Sequence, residues 1–374
     1  MKLFDPRALG AAPAGLRRER IEGSPRFKDG RFHNTEPLSV MRRDRPLSER
    51  LSIVGEFFTG GASRRPLREL PVVSPLDAWA RPAETGLRAT WLGHSTVLLE
   101  IEGFRVLTDP IWSERVSPVA WAGPRRFHRV PVTVEELPPL DAVIVSHDHY
   151  DHLDHATVRE LARREVPFFT SLGVGAHLEA WGVAPRLVTE LDWWESALLP
   201  RARGRLGFTA TPSRHFSGRG AGSNRTAWSS FVIESDRHRV FFSGDTGLSS
   251  EFETIGDKFG SFDLTMLEVG AFHPAWGDVH LGPENALVAH RMLRGKTLLP
   301  VHWGTFDLGL HPWEEPAEVL AVRAGEARVH VVTPKVGAAI EPSRVERADT
   351  WWRELLDPTP RGSLATGSAS PIRS

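Results

Sequence analysis

Asp141-Ala142-Val143-Ile144-Val145-Ser146-His147-Asp148-His149-Tyr150-Asp151-His152-Leu153-Asp154-His155 is the stretch on which the reading of this chain turns. Its first five residues form a short, β-branched apolar run behind the breaker Pro138-Pro139, the pattern of a buried strand. Residues 156–164 have helical spacing. Four histidines and three carboxylates therefore lie on a strand-to-helix loop, at the carboxyl end of a strand, where open α/β sheets place their ligands. In an extended segment His147 and His149 point to the same side, because side chains alternate with period two. Two imidazoles there can grip one ion, and Asp151 and His152, where the chain turns, can address a second ion beside it. The chain has no cysteine, so any site is ligated by nitrogen and oxygen. That donor set suits Zn²⁺, Mn²⁺ or Fe²⁺ and argues against a closed structural zinc.

The same context recurs along the chain. Arg88–Leu92, Thr96–Ile101 and Arg105–Thr108 read as three strands, with His94 in the first turn and Asp109 at the end of the third. His94 is either a loop histidine bonded to backbone or a residue at the rim of a site. His215 follows the strand pattern Phe208-Thr209-Ala210-Thr211-Pro212. Asp245 follows Arg239–Ser243, with Gly244 beside it. A carboxylate has two oxygens and can bridge two cations, while glycine lets the backbone approach closely. His302 ends the strand pattern Thr297–Val301. A merely solvated histidine-rich loop would not be echoed in this way. Residues 110–131, with Trp112, Trp121, Arg125, Arg126, Phe127 and His128, read as a long loop of the kind that often walls a site. Arg214 precedes, and Arg219 and Arg225 belong to, the glycine-rich segment 217–225, and the three favour an anionic substrate.

His-x-His-x-Asp-His after an apolar strand resembles the metallo-β-lactamase superfamily. Trp91-Leu92-Gly93-His94-Ser95-Thr96, Ser213-Arg214-His215-Phe216-Ser217, Phe241-Phe242-Ser243-Gly244-Asp245-Thr246-Gly247 and Val301-His302-Trp303-Gly304-Thr305-Phe306 narrow the resemblance to the N-acylphosphatidylethanolamine-hydrolysing phospholipase D family and its bacterial relatives. The resemblance implies an α/β fold, an αββα sandwich of two mixed sheets flanked by helices. It implies two zinc ions, with Mn²⁺ or Fe²⁺ as substitutes: one held by His147, His149 and His215, the other by Asp151, His152 and His302, with Asp245 bridging. The ions would lie about 3.5–4 Å apart and share a hydroxide that attacks phosphorus or a carbonyl carbon. Asp151 would orient that nucleophile or take its proton. Asp109 would accept the proton of a ligating imidazole. His280, within a stretch that resembles the family's His-Val-Asp-Pro-Glu-Glu-Ala, would contact substrate or leaving group. His273, Gly282 and Asn285 depart from the family's pattern, which bears on the substrate more than on the metal chemistry.

The first expectation for function is a phosphodiesterase of phospholipase D type, releasing an N-acylethanolamine and phosphatidic acid. Such an enzyme calls for an apolar channel beside the metals, lined by residues such as Trp112, Trp121 and Trp276. A lactonase or small phosphate-ester hydrolase resembling the ascorbate-phosphate lactonase relatives is the alternative and calls for a closed polar pocket. A non-catalytic metal-dependent binding or regulatory protein is a third class and calls for an incomplete ligand shell.

Composition sets the outer bounds. A length of 374 residues holds one large or two modest domains, and 40% hydrophobic with 25% charged residues is ordinary for a globular protein. A formal net charge of −1 offers no electrostatic footprint for nucleic acid. There is neither an apolar h-region near the N-terminus nor a run of 18 apolar residues, and no cysteine, so the expected location is cytoplasmic, with membrane association left open. Thirteen tryptophans against one tyrosine point to core packing first and to a lipid-handling surface second. Residues 1–85 read as an N-terminal extension packing on the core, 86–357 as the hydrolase domain and 358–374 as a disordered tail. Within the extension, Leu47, Leu51, Val54 and Phe58 share one face of a short helix pattern, expected to pack on the core, with a homodimer contact or a lipid contact as alternatives.

Overall fold

The computed structural model describes residues 5–38, 62–119, 121–201, 204–219, 222–273 and 277–356. The helix pattern at 47–58, Trp276 and the tail 358–374 lie outside the described residues. After an N-terminal segment containing helix α1 (Gly15–Glu22), the chain builds its first sheet from β1 (Leu87–Gly93), β2 (Thr96–Ile101), β3 (Phe104–Thr108), β4 (Ala142–Val145), β5 (Phe168–Ser171) and β6 (Val188–Leu191). The first three form an antiparallel meander, and β4 to β6 continue it in parallel. Parallel neighbours need crossovers, which are supplied by the long loop 109–141 between β3 and β4 and then by helices α2 (His155–Ala162) and α3 (Gly175–Ala180).

The second half repeats the plan. Strands β7 (Ser196–Arg201), β8 (Gly204–Thr211), β9 (Ser230–Glu234) and β10 (Arg239–Phe242) are antiparallel, and β11 (Phe262–Glu268), β12 (Gly295–Val301) and β13 (His330–Val331) follow in parallel. Helices α4 (Glu251–Phe259), α5 (Gly282–Met292) and α6 (Glu315–Ala327) connect the parallel strands. The last strand, β14 (Ala339–Ile340), returns to pair with β1, so each sheet has seven strands. Two mixed sheets flanked by helices make an αββα sandwich.

Between the sheets lies a continuous apolar core that includes Trp91, Phe208, Phe231, Phe241 and Phe242. Much of the tryptophan belongs to it. Trp91 stacks on Trp303 at 5.2 Å, and Trp303 packs against Trp351 and Trp352 at 5.7 and 5.6 Å. This cluster also supports the site, because the Trp91 indole donates to the backbone carbonyl of His94 at 2.8 Å. Truncating one such ring to alanine costs about 3–5 kcal/mol. A second cluster, with Val143, Val145, Val158, Leu161 and Leu178, packs β4 against the helices on the outer face.

Both sheets end their parallel strands on the same edge of the sandwich, so the loops after β4, β8, β10 and β12 converge there. Two of the carboxylates in the loop after β4 serve the fold. Asp154 caps α2 by accepting from the Ala156 N–H at 3.2 Å, and also accepts from Ser113. Asp148 accepts from the Gly218 N–H at 2.8 Å and the Thr226 hydroxyl at 2.9 Å. No helix among the described residues is long and apolar enough to cross a membrane.

Candidate metal centre

Two separate ligand sets lie at this edge, and a third group, Asp245, Glu268, His280 and His302, overlaps both. His147, His149, His215 and Asp245 each offer one donor atom within 4.8 Å of the others, and so do Asp151, His152, His302 and His94. The first set points three ring nitrogens at one spot: His147 Nε2 is 2.9 Å and His215 Nε2 is 3.3 Å from His149 Nδ1. Asp245 faces both sets, with one oxygen 3.8 Å from His147 and 3.1 Å from His152, and the other 3.3 Å from His302. Its side chain is 2% exposed, whereas that of Asp151 is 16% exposed. Asp245 is therefore sealed between the sets, and Asp151 opens towards solvent.

Some of the remaining ring nitrogens are fixed by partners, while His302 Nδ1 is buried without one. Asp109 is fully buried and accepts from His152 Nδ1 at 2.6 Å, from the Ser146 hydroxyl at 2.6 Å and from the Ser146 N–H at 2.7 Å. That pins the His152 proton on Nδ1 and turns Nε2 to the centre. His215 Nδ1 donates to the Val279 carbonyl at 3.0 Å, which leaves its Nε2 facing His149. The backbone is held in unusual shapes to achieve this. His94, Asp109 and His302 take the left-handed region, with φ of 52°, 33° and 63°. Such backbone is costly for residues other than glycine and collects at functional sites. Gly244 allows a close approach: a Cβ there would stand 2.6 Å from that of Ser146.

Electrostatics divide the sets. Burial drives His147 and His215 well below the usual imidazole range, so their lone pairs are free. Against burial, the charges of Asp245 and Asp151 hold His152 well above it. His302 is raised to about 10, against burial, by Asp245 and its hydrogen bond to Asp151. Burial and the neighbouring His302 push His94 down to about 3. Buried imidazoles around shared carboxylates are the donor set of a divalent metal pair once His152 and His302 give up their extra protons as the ions bind. His152 Nε2 and Asp245 Oδ1 are buried without a hydrogen-bond partner, and both face the place an ion would take. The residues present fit two such ions.

His280 stands beside both sets, its ring 5.3 Å from those of His215 and His302. Its Nδ1 lies 2.6 Å from Glu268, which is fully buried and also accepts from the Thr246 N–H at 2.5 Å. The sequence reading missed Glu268. The signal was present: a single carboxylate closing the apolar strand Phe262–Glu268, as Asp109 closes β3.

Of the three arginines expected to favour an anionic substrate, two are turned to the protein. The Arg219 guanidinium is buried beneath the loop after β4, donates to the carbonyls of Ala8, Asp148 and Leu153 at 2.8–2.9 Å, and lies over the Tyr150 ring at 4.1 Å. Arg214 donates to the carbonyls of Pro37 and Leu248 and pairs with Asp278 at 3.0 Å. Both are engaged by the protein itself, and Arg225 is exposed, against Gly222. Of the tryptophans named for an apolar channel, Trp276 lies outside the described residues. The Trp112 indole donates to the Val132 carbonyl at 2.8 Å within the outer cluster, and Trp121 is 66% exposed. A cavity of about 420 Å³ opens instead at His280, with Phe272, Val279, Leu281 and Val319 in its wall and the Glu284–Arg323 ion pair (3.1 Å) on its rim.

Known proteins place this geometry. Residues 104–303 match the family model described as a beta-lactamase superfamily domain. An uncharacterized protein of Mycobacterium tuberculosis is 44% identical over 352 residues, 93% of this chain and 92% of the relative. N-acyl-phosphatidylethanolamine-hydrolyzing phospholipase D 1 of Caenorhabditis elegans is 35% identical over 275 residues, 70% of this chain and 77% of that protein. Among solved structures, Igni18, a metallo hydrolase from Ignicoccus hospitalis, superposes with a TM-score of 0.52 at 22% identity, covering 68% of this chain and 97% of the other, which speaks to the fold alone. By sequence, fold and buried ligand sets, this chain belongs to the metallo-β-lactamase superfamily, as a metal-dependent hydrolase homologous to the N-acyl-phosphatidylethanolamine-hydrolyzing phospholipases D.

Proposed function

We propose that the protein is a binuclear zinc phosphodiesterase that cleaves an N-acylphosphatidylethanolamine, releasing N-acylethanolamine and phosphatidic acid. The observation that carries the reading is the pair of buried ligand sets sharing Asp245. Metal one is assigned to His147, His149 and His215, and metal two to Asp151, His152 and His302, with Asp245 between them. The bound ions supply a water activated at neutral pH and charge stabilisation at the attacked phosphorus.

The chain's own groups do the rest. Asp151 is the carboxylate of the centre with solvent access, so it orients the attacking water and receives its proton. His280, held at Nδ1 by Glu268, presents its other nitrogen to the cavity, where it meets the leaving oxygen. Asp109 keeps His152 in the metal-binding tautomer. The activity printed for the C. elegans relative supports the lipid substrate, and the apolar wall at Phe272 and Leu281 gives an acyl or glyceride chain a place beside the reacting centre. Peripheral membrane contact belongs to this reading, since its substrate resides in a bilayer.

A lactonase or small phosphate-ester hydrolase is the second reading, favoured by a cavity at His280 whose wall includes neither Trp112 nor Trp121. The test is turnover of N-acylphosphatidylethanolamine in detergent by the zinc-loaded protein, with bis-p-nitrophenyl phosphate and a simple lactone alongside. Lipid turnover abolished by His302→Ala supports the first reading. Diester or lactone turnover without lipid turnover replaces it with the second.

A further inference from the structure

We propose that Asn34, in the N-terminal segment and outside the matched superfamily domain, is a positioning residue for the metal ligand His215. The proposal rests on the reading of His147, His149, His215 and Asp245 as a metal site.

His215 lies beyond the end of β8 at Thr211, where the sheet ladder no longer satisfies its backbone. A buried peptide group without a partner is costly, so another group must take its place. The Asn34 carboxamide does so on both sides. Its Nδ2 donates to the His215 carbonyl at 2.8 Å, and its Oδ1 accepts from the His215 N–H at 3.1 Å. One side chain thereby completes both backbone bonds of one ligand, as a neighbouring strand would. Only an amide carries donor and acceptor side by side in this way. The same Oδ1 accepts from the Trp228 indole at 3.0 Å, and that indole is buried and also bound to the Ser213 carbonyl. Two N–H groups facing Oδ1 and one carbonyl facing Nδ2 fix the orientation of the amide.

Asn34 is itself held from both sides. Upstream, the Phe32 N–H donates to the Asn224 carbonyl at 2.8 Å. Downstream, Glu36 accepts from the Ser250 N–H and hydroxyl at 3.0 and 2.7 Å, and the Pro37 carbonyl receives Arg214. The His215 ring is fixed independently by the Val279 carbonyl at Nδ1. Backbone and ring are thus clamped by different elements, and the segment 31–38 is part of the scaffold of metal one. Loss of an outer partner of a metal ligand lowers affinity by about 10–100-fold, which sets the size of the effect.

The experiment titrates Co²⁺ into the metal-stripped full chain, following visible absorption and, after dialysis, cobalt per chain by mass spectrometry. His215→Ala and His302→Ala assign the two binding steps. Asn34→Ala is expected to weaken the His215 step roughly 10–100-fold and change its spectrum, with the His302 step within about threefold of wild type. Glu36→Ala removes the neighbouring anchor and leaves the Asn34 bonds in place, so both of its steps should match wild type. Asn34→Asp keeps the two accepted bonds, loses the donated one and should show a smaller loss at the His215 step; it carries the test if Asn34→Ala does not fold. A folded Asn34→Ala or Asn34→Asp with wild-type binding overturns the proposal, as does an equal loss in Glu36→Ala. A wild-type chain with no cobalt step that His215→Ala removes overturns the metal assignment itself, and the role of Asn34 with it.

Discussion

Asp109→Asn exchanges one carboxylate oxygen for an NH2 group and should weaken the second metal site. The two Asp109 oxygens are fully buried and accept three hydrogen bonds, from His152 Nδ1, the Ser146 hydroxyl and the Ser146 N–H, at 2.6, 2.6 and 2.7 Å. An amide replaces one acceptor with a donor. If its nitrogen takes the place facing His152, the imidazole must surrender the proton on Nδ1 and carry it on Nε2, the atom 3.1 Å from Asp245 that would bind metal. If it takes the other place, it confronts the Ser146 N–H donor to donor, and a buried unsatisfied group costs about 1–3 kcal/mol. Neither orientation leaves the site intact. The expected loss in affinity at the His152 site is about 10–100-fold, or roughly 1.4–2.7 kcal/mol at 1.36 kcal/mol per decade. Cobalt titration followed by dialysis and metal analysis measures it, with the His147 site as internal reference. Asp109→Asn holding two ions at wild-type affinity would refute the tautomer argument.

Three further outcomes follow from the same geometry. His280→Ala and Glu268→Gln should retain both metals and lose about 10²–10⁴-fold and a smaller factor in kcat, respectively; loss of metal instead would place His280 in the ligand shell. Metal uptake near pH 7.5 should release protons, because the metal-free protein holds His302 protonated up to about 10 and His152 raised as well. Their folded values exceed the unfolded ~6.5, so the stability they lend the metal-free protein is full below pH ~6.5 and lost as pH rises towards about 10, while metal affinity climbs across that window. Calorimetry in buffers of different ionisation enthalpy counts the protons, and a buffer-independent enthalpy would contradict the assignment. Gly270→Ala places a Cβ 2.1 Å from the His302 carbonyl oxygen, so it should lower thermal stability by about 1–3 kcal/mol and metal content with it; an unchanged melting temperature would show that this backbone contact yields freely.

The fold was legible because its strands are apolar runs cut by proline and glycine, and because the ligands stand where those runs end. Ala142–Val145 before His147 and Gly295–Val301 before His302 each carry a period and a stop that local sequence records. Elements without a period escaped. β7 is an edge strand containing Pro200, whose residues Ser196–Arg201 lack alternation, and α4 was not read at all. Side-chain direction escaped for a different reason. Arg214 and Arg219 sit next to ligand-bearing turns in sequence, yet their guanidinium groups point away to carbonyls supplied by residues 8 and 37, a pairing across about 200 positions that no local pattern encodes. Asn34 was invisible on the same ground, since its partner stands 181 residues away. Glu268 could have been found, because an isolated carboxylate at the end of a buried strand repeats the context of Asp109.

The central claim is a pair of metal ions held by two ligand sets that share one carboxylate. Metal content per chain, measured on the zinc-loaded protein and on Asp245→Ala after the same dialysis, tests it most directly. The account predicts two ions in the wild type and at most one, weakly held, in the variant, which lacks the only carboxylate that faces both sets among the described residues. A wild-type protein without bound metal, or an Asp245→Ala variant that still retains two ions, would contradict it.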